Sequence, residues 1–283
     1  MKPRVMSLVL FTCMVGLIIA PNNVSYINSI LSLIAVALGA GAAGTLNMWY
    51  ESDLDALMTR TCLRPIPTGQ VTKNQALLFG ILLSIGSVSL LYFSSNLISA
   101  SLLLLTICFY FFIYTVWLKR KTPQNIVIGG AAGALPPVIG WTIATGTLTI
   151  EPLILFLIIF LWTPSHFWAL SIYKSNDYKK AKIPMLPIIY GIDKTKKNIF
   201  FYSLLMLPTI SAPFLIGFLS EIYFYPALAL TVYYIYLCGV LLQLKKNKEI
   251  NTYARKTFLY SIFYLFVIFS LILLDHFLMR FYG

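Results

Sequence analysis

The chain has 283 residues, of which 59% are hydrophobic and 11% charged, with 21 Lys and Arg against 9 Asp and Glu. A mean hydropathy of +0.83 excludes a soluble domain, because so little polar surface cannot cover a globule in water. The net charge of +12 invites a nucleic-acid partner, but the bases are confined to a few loops where membrane topology accounts for them, so nucleic acid is set aside.

Apolar runs of about 20 residues, the length a bilayer core requires, predict membrane-spanning helices. In chain order they cover 5–20, 28–50, 74–93, 97–118, 125–146, 152–172, 199–219, 223–243 and 257–278. Runs such as ISASLLLLTICFYFFIYTVWL lack the alternation of a membrane β-barrel. The expected fold class is therefore all-α: a polytopic bundle of nine transmembrane helices forming one domain over 1–283. No small-residue cleavage site follows Ala20, so the first run is read as a mature helix. Cys13, Cys62, Cys108 and Cys238 have no paired spacing, which predicts neither a disulfide framework nor a zinc site.

The N-terminus and the loops after the second, fourth, sixth and eighth helices hold 20 of the 21 Lys and Arg, Arg280 being the exception. The positive-inside rule makes those segments cytoplasmic and the C-terminus external. A prokaryotic plasma membrane is the expected location.

The nine acidic residues carry the functional argument. Glu51, Asp53 and Asp55 fall within five residues at the inner end of the second helix, and Asp177 and Asp193 lie in the basic loop after the sixth. Glu151, Glu221, Glu249 and Asp275 look like ordinary interfacial charge. If the second helix continues, Asn47, Glu51 and Asp55 stand at i, i+4 and i+8, within an arc of about 80° on one face, and Asp53 points elsewhere. Carboxylates bunched without bases between them repel one another. An oxygen-only set without His or Cys favours Mg²⁺ or Mn²⁺ over zinc. Arg60 and Arg64 follow at once, and two guanidiniums beside a metal-loving cluster suit a diphosphate. A loop of orientation-setting charges that neutralise one another is the plainer alternative.

The loop after the sixth helix repeats the theme of acid, base and Pro/Gly in YKSNDYKKAKIPMLPIIYG, where Lys174 and Tyr178 accompany Asp177. A weak internal repeat of this kind often brackets a substrate. A third inner loop offers Tyr114, Lys119, Arg120 and Lys121 to the same face. His166 is the one His in the inner half of the bundle, about 16 Å along the helix from Asp177. A buried imidazole bonded to a neighbouring hydroxyl is the plain reading of that side chain.

The pattern N-x3-E-x-D-x-D followed by R-T-x2-R-P resembles the first signature of the UbiA-type intramembrane prenyltransferases. KPRV at the start, YTVWLKRKTPQNIVIGGAAGALPPVIGW and WTPSHFWALSIYKSNDYKKAKIPMLPIIYG are similar to the branch of that family that farnesylates haem B. The resemblance implies a nine-helix bundle whose central cavity is capped by the two signature loops. It implies Asn47, Glu51, Asp55 and Asp177 as metal ligands, and these with Asp53 as the catalytic set. Arg60, Arg64, Lys119 and Lys174 become diphosphate contacts, with Tyr114, Arg120, Tyr178 and His166 completing the substrate site, His166 as an axial ligand to the iron of the acceptor. Mg²⁺ is the implied cofactor, with Mn²⁺ suited to the same ligands. Farnesyl diphosphate is the implied donor, haem B the acceptor, and haem A synthase or a terminal oxidase the downstream partner in the bilayer. Two positions depart from the wider family: Glu51 stands where many relatives have Asp, and Asp177 stands alone where relatives with phenolic acceptors have D-x3-D. A prenyltransferase for a benzoate, naphthoate or chlorin acceptor remains the nearer alternative, and a transporter the more distant one, since intramembrane charges and repeats mark those too.

Overall fold

The computed structural model describes residues 3–22, 24–59 and 61–282, and no strand occurs among them. Eight helices are long and apolar enough to cross a bilayer. They are α2 (Tyr26–Tyr50), α4 (Lys73–Ser94), α5 (Leu97–Cys108) continued by Phe109–Leu118, α6 and α7 (Asn125–Ala134 and Pro136–Thr145) taken together, α8 (Ile150–Tyr173), α11 (Gly191–Leu215), α12 (Glu221–Gln243) and α13 (Asn247–Tyr282). The ninth expected span is α1 (Pro3–Ile18), whose 16 residues fall short of the other eight. Three short helices complete the order: α3 (Ser52–Leu57), α9 (Ser175–Lys180) and α10 (Leu186–Ile189).

Helix ends are set by local chemistry. Ser25 caps α2 by accepting from the Asn28 N–H, and Thr72 and Gln75 form a reciprocal capping box at the start of α4. Hydropathy misplaces two starts. α11 begins at Gly191 and α13 at Asn247, because both helices continue past the apolar layer into the basic end of the bundle. There the buried Lys196 lays its stem along α11 and donates through Nζ to the Leu244 carbonyl at 2.7 Å, closing the C-terminus of α12. The expected 125–146 helix is interrupted at Leu135, since Pro136 and Pro137 cannot donate to the preceding turn.

Two apolar cores divide the bundle. One gathers side chains of α8, α11, α12 and α13, including Ile158, Trp168, Tyr234 and Phe269. The other joins α1, α2, α4, α5 and α7 through Cys13, Val36, Leu91, Leu103 and Ile139. α1 and α7 cross almost backbone to backbone. A Cβ on Gly140 would stand 1.9 Å from the Cys13 carbonyl oxygen, and one on Gly16 would stand 2.1 Å from that of Pro137. Only glycine permits that approach, the usual route to close helix contact in lipid. Large apolar side chains such as Ile85, Phe93 and Phe112 face outward, as a bilayer requires.

At the end opposite the basic loops, Asp275 is buried rather than an interfacial charge. It accepts from the Ser220 and Tyr223 N–H groups and from the Ser220 hydroxyl, and so caps α12 from a neighbouring helix.

Candidate functional site

The helix that carries the acidic motif breaks at Glu51, which ends α2 and begins α3. The break leaves the register intact: the Glu51 N–H donates to the Asn47 carbonyl at 3.0 Å and the Asp55 N–H to that of Glu51 at 2.8 Å. Asn47, Glu51 and Asp55 therefore keep the i, i+4, i+8 spacing and are all buried, at 0%, 1% and 4% exposure. The loop that follows folds back, with the Thr61 hydroxyl donating to the Asp55 carbonyl.

Each carboxylate of the motif meets a cation. Lys119 Nζ lies 2.5 Å from Glu51 Oε2, and Arg64 Nη1 lies 2.6 Å from Asp55 Oδ2. Arg120 grips both oxygens of the half-exposed Asp53 through Nη1 at 3.1 Å and Nη2 at 2.8 Å. Burial works against the charge of Asp53, but the hydrogen bonds and positive charge of Arg120 outweigh it and hold the carboxyl below the usual carboxylate range. The Lys119–Arg120 pair thus joins the end of α5 to both sides of the motif.

The segment Phe109–Leu118 achieves this register by widening to a π-helix. The Lys119 N–H donates to the Tyr114 carbonyl, five residues back, and the Thr115 hydroxyl to the Tyr110 carbonyl at 2.8 Å. Thr115 Oγ1 in turn accepts from Asn47 Nδ2 at 3.0 Å, which fixes the orientation of the amide. Tyr114 packs at a tilt against Tyr110, lies under Lys119 and sits on the backbone of Gly129, where a Cβ would meet its ring at 2.2 Å.

The second loop reaches the first. Asp177 on α9 accepts from the Thr59 hydroxyl at 3.2 Å, so the two acidic loops meet at one end of the bundle. The weak sequence repeat has a structural counterpart, since α3 and α9 are six-residue helices that each follow a long span. Tyr178 is buried under this loop, and Lys174 sits over the Tyr173 ring. Arg60 lies outside the described residues. His166 is placed elsewhere: its Nδ1 bonds the Ser261 hydroxyl at 2.6 Å, and its ring stacks on Trp162 and packs at a tilt against Phe258 in the seam between α8 and α13.

The donor set suits a hard divalent cation. Asn47, Glu51, Asp55 and Asp177 offer only oxygen and amide groups, and Glu51 Oε1 is buried without a hydrogen-bond partner, which is costly unless a ligand engages it. Among the described residues no three His, Cys, Asp or Glu side chains group closely enough to hold a metal alone. A cation here would complete its shell from water or phosphate oxygens. About one turn below Asn47 an apolar cavity opens, lined by Gly39, Ala43, Gly44, Ile107, Tyr110 and Gly133. Sequence reasoning missed Thr59 and Thr115. A hydroxyl four residues before Lys119 in the aromatic run FYFFIYTVWL is the one signal that pointed to the latter.

The profile of the UbiA prenyltransferase family matches residues 9–274. The chain is similar to the protoheme IX farnesyltransferase of Pelagibacter ubique, 65% identical over 97% of this chain and 91% of that protein. To the protoheme IX farnesyltransferase of Parvibaculum lavamentivorans it is 48% identical over 97% of this chain and 86% of that protein. Among solved structures, it superposes on a digeranylgeranylglyceryl phosphate synthase with a TM-score of 0.79 at 19% identity, covering 95% of this chain and 92% of the other. A UbiA homologue from Archaeoglobus fulgidus bound to GPP and Mg²⁺ gives 0.68 at 18% identity, covering 94% and 96%. At these identities the structural likeness establishes the fold alone.

Thr115→Val keeps the side-chain shape but removes the oxygen that accepts from Asn47. It is expected to destabilise the protein by about 1–3 kcal/mol, the cost of leaving a buried amide without that acceptor. Thermal unfolding in detergent checks this: a lowered midpoint for Thr115→Val that Thr115→Ser restores supports the bond, and equal midpoints for all three proteins count against it.

Proposed function

We infer the function from one premise: the chain belongs to the UbiA prenyltransferase family, within its protoheme IX farnesyltransferase branch. We propose that it transfers the farnesyl group of farnesyl diphosphate to a vinyl group of haem B with addition of water, giving haem O. The observation that carries the reading is the junction of a buried oxygen cluster flanked by Lys119 and Arg64 with an apolar cavity about one turn below it. A prenyl diphosphate has that same division into charged head and apolar tail.

Asn47, Glu51 and Asp55, with Asp177 from the second loop, would hold Mg²⁺ against the diphosphate. When bound, the cation neutralises the diphosphate and makes it a better leaving group. Lys119 and Arg64, already beside the carboxylates, would donate to the diphosphate oxygens as the allylic C–O bond breaks. Arg120 holds Asp53 and thereby the start of α3. The apolar wall of the cavity keeps water from the allylic carbon until its bond to the vinyl carbon forms. Water then adds to the cation left on the acceptor and loses a proton, leaving a hydroxyl. The product suits a haem A synthase or a terminal oxidase in the same membrane as its next partner, and we read 1–283 as one catalytic domain.

Membranes expressing the chain are expected to accumulate a haem B derivative more hydrophobic than haem B, detected by pigment extraction and chromatography. Glu51→Ala, Asp55→Ala and Asp177→Ala should each lower product formation by about 100-fold or more, the scale at which removed transition-state charge stabilisation acts. A new quinone precursor in place of the haem product would reassign the acceptor. Full activity in chelator, or in these variants, would remove the metal-diphosphate site.

We also propose that the basic end faces the cytoplasm of a prokaryotic cell and that the C-terminus is external. Cysteines introduced at Lys121 and Lys179 should label from the same side of sealed vesicles, opposite one introduced at Thr149. Labelling of Lys121 and Lys179 from different sides would overturn the orientation and the shared site.

His166 offers a second point of acceptor recognition. Its Nδ1 is engaged by Ser261, so Nε2 is the ring nitrogen left for haem iron. His166→Ala is expected to shift the haem spectrum and raise the haem KM while leaving farnesyl diphosphate affinity unchanged. Unaltered spectrum and KM would make His166 a packing residue.

A further inference from the structure

The cations at the basic end do not all have counter-ions. Those beside the acidic motif are paired, Lys119 with Glu51, Arg64 with Asp55 and Arg120 with Asp53. Lys174 and Arg255 differ, since neither forms an ion pair among the described residues. Instead both converge on the ring of Tyr173, with Lys174 Nζ 4.7 Å and Arg255 Cζ 5.9 Å from its centroid. Tyr173 thus carries two cations on one ring. The ring quadrupole attracts each of them, but it does not cancel their mutual repulsion. A ligand with two negative groups would.

Their place in the fold gives this pair a role. Tyr173 is the last residue of α8, and Arg255 lies on α13, which packs against α8 through the Trp162 and His166 bonds to Ser261. Lys174 joins α8 to α9, and its carbonyl accepts from the Asp177 N–H at 3.1 Å. The two cations therefore stand at the rim of the α8–α13 seam, and Lys174 is three residues from Asp177, the carboxylate that Thr59 ties to the acidic motif. The donor side of the site is built by α2, α3 and α5, and this rim is on the other half of the bundle.

We propose that Lys174 and Arg255, braced on Tyr173, form the subsite that receives the carboxylates of the acceptor. This rests on the reading of haem B as acceptor. Haem B carries two propionates on one edge of the macrocycle and its vinyl groups toward the opposite edge. Anchoring the propionates at the α8–α13 rim turns a vinyl edge away from that rim, toward the α2–α3 carboxylates where the allylic carbon is held. Lys174 then serves the acceptor rather than the diphosphate, and Arg255, which the sequence presents as one more orientation-setting base, becomes a specificity residue.

The test compares haem B with its dimethyl ester, which lacks both negative charges, in absorbance titrations of the full-length protein in detergent. Wild type is expected to bind haem B about tenfold more tightly than the diester, as charge-assisted contacts at a partly exposed site allow. Arg255→Ala combined with Lys174→Ala should bring haem B to the affinity of the diester, leave the diester unchanged, and leave farnesyl diphosphate binding by calorimetry unchanged. Arg255→Lys should recover part of the preference. An undiminished preference for haem B in the double variant, or a loss of donor affinity in its place, overturns the subsite even while haem O is still made. If wild type binds neither haem nor diester and makes no haem product, the acceptor reading itself fails and the subsite falls with it.

Discussion

The burial of Glu51 and Asp55 against Lys119 and Arg64 dictates how the basic end of the bundle is built. Removing one partner of such a buried pair costs about 3–5 kcal/mol, because the remaining charge has no water to turn to. The partners come from separate pieces of chain: Glu51 closes α2, Lys119 follows the π-helical segment, and Arg64 lies in the loop that Thr61 folds back onto Asp55. Satisfying the carboxylates therefore fixes α2 against the end of α5 and pins the first loop over the bundle. The Asp53–Arg120 bidentate pair reinforces the same junction where water still screens it, and contributes correspondingly less.

This arrangement separates charge from apolar volume over a short distance. Above Asn47 the side chains are acidic and basic; about one turn below it small residues on α2 and α6 leave an apolar hollow. The hollow lies inside the core shared by α1, α2, α5 and α7, with Val36, Ala43, Leu103, Ile107 and Ile139 in its wall, so its shape is set by helices and not by loops. Thr59, reaching Asp177 from the first loop, is the bond that ties the second half to the chemistry of the first.

Much of this was legible in the chain. Hydropathy located the spans because lipid leaves few alternatives, and the i, i+4, i+8 spacing of Asn47, Glu51 and Asp55 survived a helix break because the backbone bonds bridged it. The pairing of Lys119 with Glu51 was not legible, since which carboxylate a base will meet depends on a packing contact 68 residues distant in sequence. Helix starts at Gly191 and Asn247 were missed for a related reason. Hydropathy stops at the first lysines, but the backbone ladder does not, and Lys196 is buried by snorkelling to a carbonyl. Asp275 looked like interfacial charge, because a cap supplied by another helix leaves no local sequence mark. His166 matches one of its two sequence readings in having a hydroxyl partner.

The widened segment Phe109–Leu118 has a consequence for how this protein can vary. A π-turn accommodates one residue more than the α-helical repeat, and here the widening spans Phe109–Leu118, which seats Thr115 and leads out to Lys119 and Arg120. Deleting a residue from the segment would close the widened turn to the α-helical repeat and remove the five-residue bonds that seat Thr115 and lead out to Lys119, without altering a charged residue. The outward-facing side chains of Phe112 and Trp117 are free to drift, as lipid-facing positions are, but the length of the segment is not. The segment acts as a spacer whose information is its residue count.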